Sequence, residues 1–201
     1  MHFLQYSGLK ASEVEVILGD FDLTIVDEGS YVRSAIAIIV HPKYNSLSSN
    51  YDFALIRLNE TLSFSNWITQ PICLPSSCDD GCRAGTSVYV AGWGQLSSGD
   101  GDPLPIRMQT GLMEIVDQGS CAADYSYITV SITDQMVCAS GANGQMVDTC
   151  YGDSGGPMMT VEDGFYKICG MSSFGVECGD SGMPGVYARV CNVIDWIQSY
   201  I

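Results

Sequence analysis

Asp148-Thr149-Cys150-Tyr151-Gly152-Asp153-Ser154-Gly155-Gly156-Pro157 is the run on which the reading of this chain turns. Three glycines surround one serine, so the backbone there can bend sharply and let another molecule approach closely. A nucleophilic hydroxyl needs that exposure, together with backbone N–H groups aimed at a developing oxyanion. A bare Gly-x-Ser-x-Gly is equally compatible with an ordinary glycine-rich turn. The full ten-residue run is far more specific.

The surroundings agree with a folded, loop-rich domain. The chain has 201 residues, 46% hydrophobic and 15% charged, with 22 glycines. That length and composition suit one compact domain, or two small fused ones, of all-β type. Short apolar runs alternate with turn signals: Val14–Leu18, Ser34–Val40, Phe53–Leu58, Ser87–Ala91, Met113–Val116, Gly156–Thr160, Tyr166–Ser172 and Gly185–Val190. Their spacing predicts a sandwich or barrel rather than alternating strands and helices. One helix is expected, over Asn192–Ile201, where Val193, Ile194, Trp196, Ile197 and Ile201 form an apolar stripe.

The formal net charge is -15. A surface that negative repels phosphate, which argues against nucleic acid and favours basic partners. No apolar stretch reaches membrane-spanning length. Nine cysteines are scattered without the close pairing of a zinc site, which points to disulfides and an oxidising, extracellular setting. Their number is odd, so at least one thiol lacks a partner within the chain. Met1–Lys10 has no export signal, and the expectation is that the true N-terminus lies further upstream.

Over nearly its whole length the sequence resembles the chymotrypsin/trypsin family of serine proteases. Gly152-Asp153-Ser154-Gly155-Gly156-Pro157 resembles the nucleophile loop, which makes Ser154 the nucleophile and the N–H groups of Gly152 and Ser154 the oxyanion hole. Asn50-Tyr51-Asp52-Phe53-Ala54-Leu55-Ile56 looks like the aspartate segment, so Asp52 would orient the catalytic histidine. Ala91-Gly92-Trp93-Gly94 resembles the start of the second barrel, and Pro184-Gly185-Val186-Tyr187 a strand of the specificity pocket. Ser172-Ser173-Phe174-Gly175 resembles the segment that pairs with substrate backbone, with Phe174 where a tryptophan is usual.

The resemblance implies a fold of two six-stranded antiparallel Greek-key barrels with a C-terminal helix. Residues 1–72 would form a first barrel lacking its opening strands, 73–84 the connection, 85–190 the second barrel and 191–201 the helix. It implies a serine endopeptidase acting through an acyl-enzyme. Asp148, six residues before Ser154, matches the carboxylate at the floor of an Arg/Lys pocket, with Gly175 and Gly185 as unobstructed walls and Ser173 and Phe174 along the substrate. Protein substrates and protein inhibitors are the implied partners, with no cofactor.

The pairings implied by the resemblance are Cys150–Cys178, Cys121–Cys138 and Cys78–Cys191. Val88 and Thr160 occupy the places of a further family bridge, which leaves Cys82 and Cys169 free to pair with each other. Cys73 resembles the cysteine that many members bridge to an upstream propeptide or light chain.

Departures sit at the front. The Ala-Ala-His-Cys segment is missing, as is the apolar-Gly start whose freed amino group would pair with Asp153. His2, fifty residues before Asp52, is the candidate base within the chain, but Phe3 follows it where the family has cysteine. His41 is only eleven residues before Asp52 and reads as structural. The expectation is therefore a truncated chain, inactive as it stands; the alternative is a non-catalytic homologue acting as a binding or regulatory module. Asp20, Asp22 and Asp27, in a loop that resembles the calcium loop of some members, are candidate calcium ligands; a solvated acidic hairpin is the competing reading.

Overall fold

The structure is a computed structural model. It describes residues 9–64, 67–98, 103–179 and 183–201. Among the described residues, nine strands carry the fold. β1 (Glu15–Leu18), β2 (Tyr31–Val40) and β3 (Ala54–Leu58) form an antiparallel sheet in chain order. β4 (Ser87–Gly92), β5 (Gln109–Ile115), β6 (Met136–Gly141), β7 (Pro157–Glu162), β8 (Phe165–Phe174) and β9 (Gly185–Arg189) close into a barrel ordered β4-β5-β6-β9-β8-β7. The described residues also form two short α-helices, α1 (Gln118–Asp124) and α2 (Ile194–Gln198).

The barrel owes its closure to side-chain alternation. Along β4, Ser87 and Tyr89 face solvent while Val88 and Val90 are buried. Met113, Ile115, Val137, Ala139, Met158 and Tyr187 fill the same interior. Val88 is fully buried there, and the buried Thr160 reaches the Ser87 carbonyl. The two positions that lack the family bridge are thus packed against the barrel rather than exposed.

A second cluster lies where the chain passes between the two halves. Phe53, Ile168, Ala188, Val190 and Val193 are buried together, with Trp196 and Ile197 of α2 packed on them. His41 is buried in this joint, stacked on Tyr51 with ring centroids 4.7 Å apart and edge-on to Trp196 at 4.6 Å. Burial holds its imidazole below the ordinary pKa. A structural role for His41 follows.

Four disulfides tie the domain: Cys78–Cys191, Cys82–Cys169, Cys121–Cys138 and Cys150–Cys178. Cys73 is free and exposed.

Some expectations need correction. β6 and α1 are absent from the sequence reading. β6 is the buried run Met-Val-Cys-Ala-Ser-Gly, whose small residues lack strand character. α1 is capped by Asp117, whose carboxylate accepts the Ser120 N–H at 2.9 Å. The C-terminal helix is shorter than expected, because Val190–Val193 wind as a 3-10 turn before α2. In the first half, the described residues form a three-stranded sheet, in keeping with the expectation of an incomplete first barrel.

Candidate active site

The nucleophile loop runs from the end of a 3-10 turn at Gly144 to the start of β7. Gly152 and Gly155 have φ of 103° and 80°, values that residues with a Cβ adopt only under strain. The loop is stapled by its own backbone: the Asp153 N–H donates to Cys150 O at 2.9 Å and the Gly156 N–H to Asp153 O at 2.8 Å. It is also stitched to β8, with the Gly155 N–H donating to Ser172 O and the Ser172 N–H to Gly156 O, each at 2.9 Å. Ser154 is left exposed at the apex. Neither its N–H nor that of Gly152 has an acceptor among the described residues.

The Asp153 side chain points back into the protein. Its carboxylate accepts the Gly94 N–H at 2.7 Å and the Cys150 N–H at 3.0 Å. A Cβ on Gly92 or Gly94 would fall onto that carboxylate. Asp153 thereby lines a cavity of about 200 Å³, together with Gly92, Gly94, Met146 and Asp148.

A larger cleft of about 720 Å³ opens beside Ser154. Thr149, Cys150, Ser173, Phe174 and Gly175 line it, as do Tyr151 and Glu177. At its edge the Ser173 hydroxyl donates to Asp52 at 2.7 Å, and both residues are buried. Asp52 arrives from the first half through the joint. Thr133 of the second half donates to Asn50 at 2.5 Å, and Tyr51 sits at a φ of 54°. Asp52 is thus tied, through Ser173, to the edge of the cleft that Ser154 lines, 102 positions further along the sequence.

Asp148 lies one layer deeper. It lines the smaller cavity, and Thr149, Cys150 and Cys178 form a wall common to both spaces. Its carboxylate accepts the N–H of Thr149 at 2.8 Å and of Gly179 at 3.2 Å. Gly185 backs onto it, and a Cβ there would come within 2.5 Å of the carboxylate. Burial pushes its pKa up to about 6, against the two N–H donors that act the other way.

A hydroxyl network that sequence reasoning missed supports this floor. Ser172 donates to Thr149 at 3.1 Å, and Thr149 lies 3.2 Å from the buried Tyr187 hydroxyl. Only contact geometry reveals it, because isolated hydroxyls carry no motif.

Two expectations fare differently. His2 lies outside the described residues. In the acidic loop, Asp22 pairs with Arg107 at 2.9 Å and accepts from Thr24, while Asp27 accepts the N–H groups of Phe21 and Asp22. Among the described residues, no three candidate ligands gather into a metal site.

The Trypsin family model matches residues 5–197. The chain is 38% identical over 190 residues to trypsin II-P29 of Gallus gallus, covering 94% of this chain and 71% of that protein. It is 36% identical over 188 residues to anionic trypsin of Bos taurus, with the same coverage. Against the CLIP domain-containing serine protease B4 of Anopheles gambiae it is 37% identical, spanning 92% of this chain and 54% of the relative. With the closed barrel, the exposed serine and the matched length together, the chain belongs to the trypsin family of serine proteases.

Proposed function

We propose that this chain hydrolyses peptide bonds after Arg or Lys, with Ser154 as nucleophile. One observation carries the reading. An exposed serine sits on a positive-φ glycine loop whose two unbonded N–H groups stand beside it, at the cleft to which Ser173 also ties Asp52.

The Ser154 hydroxyl oxygen attacks the scissile carbonyl carbon and passes its proton to a histidine, for which His2 is the candidate within the chain. The Gly152 and Ser154 N–H groups hold the carbonyl oxygen as it becomes an anion. The C–N bond then breaks, the amine leaves with the histidine proton, and an acyl-enzyme remains. Water attacks that ester, the histidine takes its proton and returns it to Ser154, and the acid product departs. Asp52 holds the imidazole in the required tautomer and balances its charge.

Asp148 selects the substrate. The half-buried Asp148 carboxylate has no cation partner among the described residues, and a long basic side chain entering between Gly175 and Gly185 supplies one. Asp153 is the partner for a freed α-amino group, which would enter the cavity behind the nucleophile loop. Cys73 is the exposed thiol for a bridge to another segment or chain. The four disulfides fit an extracellular location.

The test combines an active-site serine titrant, an Arg-containing chromogenic peptide and the fluorescent pocket ligand p-aminobenzamidine. Titration, cleavage after Arg and binding that Asp148→Asn abolishes are the expected result. Binding of the pocket ligand with an unreactive Ser154 would establish a non-catalytic homologue. Absence of both would overturn the reading.

A further inference from the structure

Tyr51, directly before Asp52, has a φ of 54°, in the left-handed region. A residue with a Cβ is strained there, and a phenol ring cannot make the local hydrogen bond by which Asn or Asp offsets that strain. Such a conformation persists only where the surroundings impose it.

The backbone on either side is anchored. The Asn45 N–H donates to Asn50 O at 3.1 Å and the His41 N–H to Phe53 O at 2.9 Å. The Phe53 N–H closes onto Tyr51 O at 2.7 Å, which leaves Asp52 at the centre of a three-residue turn. Tyr44, on the same turn of chain as His41, has its hydroxyl pKa raised by burial and by the Asp52 charge, so that this turn wraps the aspartate.

The grip on Tyr51 itself comes through its ring. It stacks on the His41 imidazole with centroids 4.7 Å apart and ring planes 4° from parallel, and the Lys43 ammonium stands 5.5 Å from its centroid. His41 is locked in turn. It is 6% exposed, Trp196 of α2 meets it edge-on at 4.6 Å, and its Nδ1 accepts the Lys43 N–H at 3.2 Å. Trp196 packs on the cluster that holds Val190 and Val193 of the second half. A rigid line therefore runs from α2 through His41 and Tyr51 to Asp52, which meets the second half again at Ser173.

We propose that His41 is a positioning residue for the reaction: through its stack on Tyr51 it imposes the left-handed turn that aims the Asp52 carboxylate at Ser173 and at the catalytic imidazole. This rests on the peptidase reading above. Filling the joint needs only apolar volume, whereas the stack needs a flat ring held parallel to Tyr51. Release of Tyr51 to negative φ swings the peptide ahead of Asp52 and takes the carboxylate off the Ser173 hydroxyl. The pocket built on Asp148 stands on other elements, so turnover rather than substrate binding carries the effect.

The test uses the full chain and its variants His41→Ala, His41→Phe, Tyr51→Ala, Tyr51→Gly and His41→Ala/Tyr51→Gly. Turnover of the Arg-containing chromogenic peptide is expressed per titrated serine. His41→Ala and Tyr51→Ala lower kcat about tenfold or more, with KM and p-aminobenzamidine affinity unchanged. His41→Phe keeps a flat ring and restores most of the loss. Glycine takes positive φ without strain, so Tyr51→Gly turns over about threefold or more faster than Tyr51→Ala, and the double variant outpaces His41→Ala by a like factor. A packing role alone predicts the reverse order, with the glycine variants slowest because they leave the fewest atoms in the joint. That order overturns the proposal, as does His41→Phe no faster than His41→Ala. Amide hydrogen exchange over residues 50–55 supplies a readout that needs no turnover. It quickens about tenfold or more in His41→Ala and Tyr51→Ala while β4 and β9 stay protected, and unchanged protection overturns the proposal. An unaltered chain that binds p-aminobenzamidine without titrating counts against the peptidase reading, and the exchange result then decides the part of His41 on its own.

Discussion

The Ser173 hydroxyl donates a 2.7 Å hydrogen bond to the buried carboxylate of Asp52, across a sequence separation of 121. Donors to a buried charge are worth more than neutral ones, about 1.5–3 kcal/mol. Ser173→Ala should lower kcat about tenfold or more, with p-aminobenzamidine affinity little changed. Asp52→Asn should cost more, about 10⁴-fold in kcat, because the histidine tautomer is lost as well. Steady-state kinetics beside pocket-ligand titration separates the two effects.

Asp148 supplies a pH signature. A cation binds its ionised form, and burial holds its pKa at about 6. Affinity for p-aminobenzamidine should be full well above pH 6 and should fall by about tenfold per unit well below it. Stability of the ligand-free chain should move oppositely through this one group. With the folded-state pKa raised above 3.8, the favourable contribution is complete at low pH and is lost as pH rises through about 6. Fluorescence titration and thermal melts between pH 4 and 8, compared with Asp148→Asn, check both signs.

Gly94→Ala should disable the nucleophile loop without unfolding the barrel. The new Cβ falls on the Asp153 carboxylate, which must then abandon the Gly94 and Cys150 N–H groups that hold it. The expected result is a large fall in serine titration, with a melting temperature lowered by a few degrees only. An unimpaired titration would show that Asp153 can relocate freely.

The Cys82–Cys169 bridge spans 87 residues, and both sulfurs are buried against the barrel core. Chain-entropy arguments put its contribution at about 4.6 kcal/mol. The double variant Cys82→Ala/Cys169→Ala should lose roughly that in denaturant unfolding and leave Cys73 as the one reactive thiol in a thiol assay.

Legibility followed chemistry more than packing. Ser154, Asp52 and Asp148 could be singled out because reactive groups sit in short, unusual strings of neighbours; in the structure Ser154 lines the larger cleft, Asp148 the smaller cavity behind it, and Asp52 is held at the cleft's edge by Ser173. The strands of alternating pattern were likewise readable, as in Ser87–Gly92. β6 was not, because Cys138, Ala139, Ser140 and Gly141 are small residues whose strand conformation is imposed by the β5 and β9 neighbours. α1 escaped because Asp117 is a cap only once a helix exists behind it. In the acidic loop, Asp22 is paired with Arg107, a partner far along the chain. Long-range partners of single charges and hydroxyls leave no local trace.

Two of the bridges, Cys78–Cys191 and Cys82–Cys169, begin before residue 83 and end after residue 168. Any single cut in the intervening stretch therefore leaves both pieces on one molecule. Arg83, Arg107 and Lys167 all lie within it. A molecule nicked there by itself or by a neighbour would migrate intact on a non-reducing gel and split in two only when reductant is added.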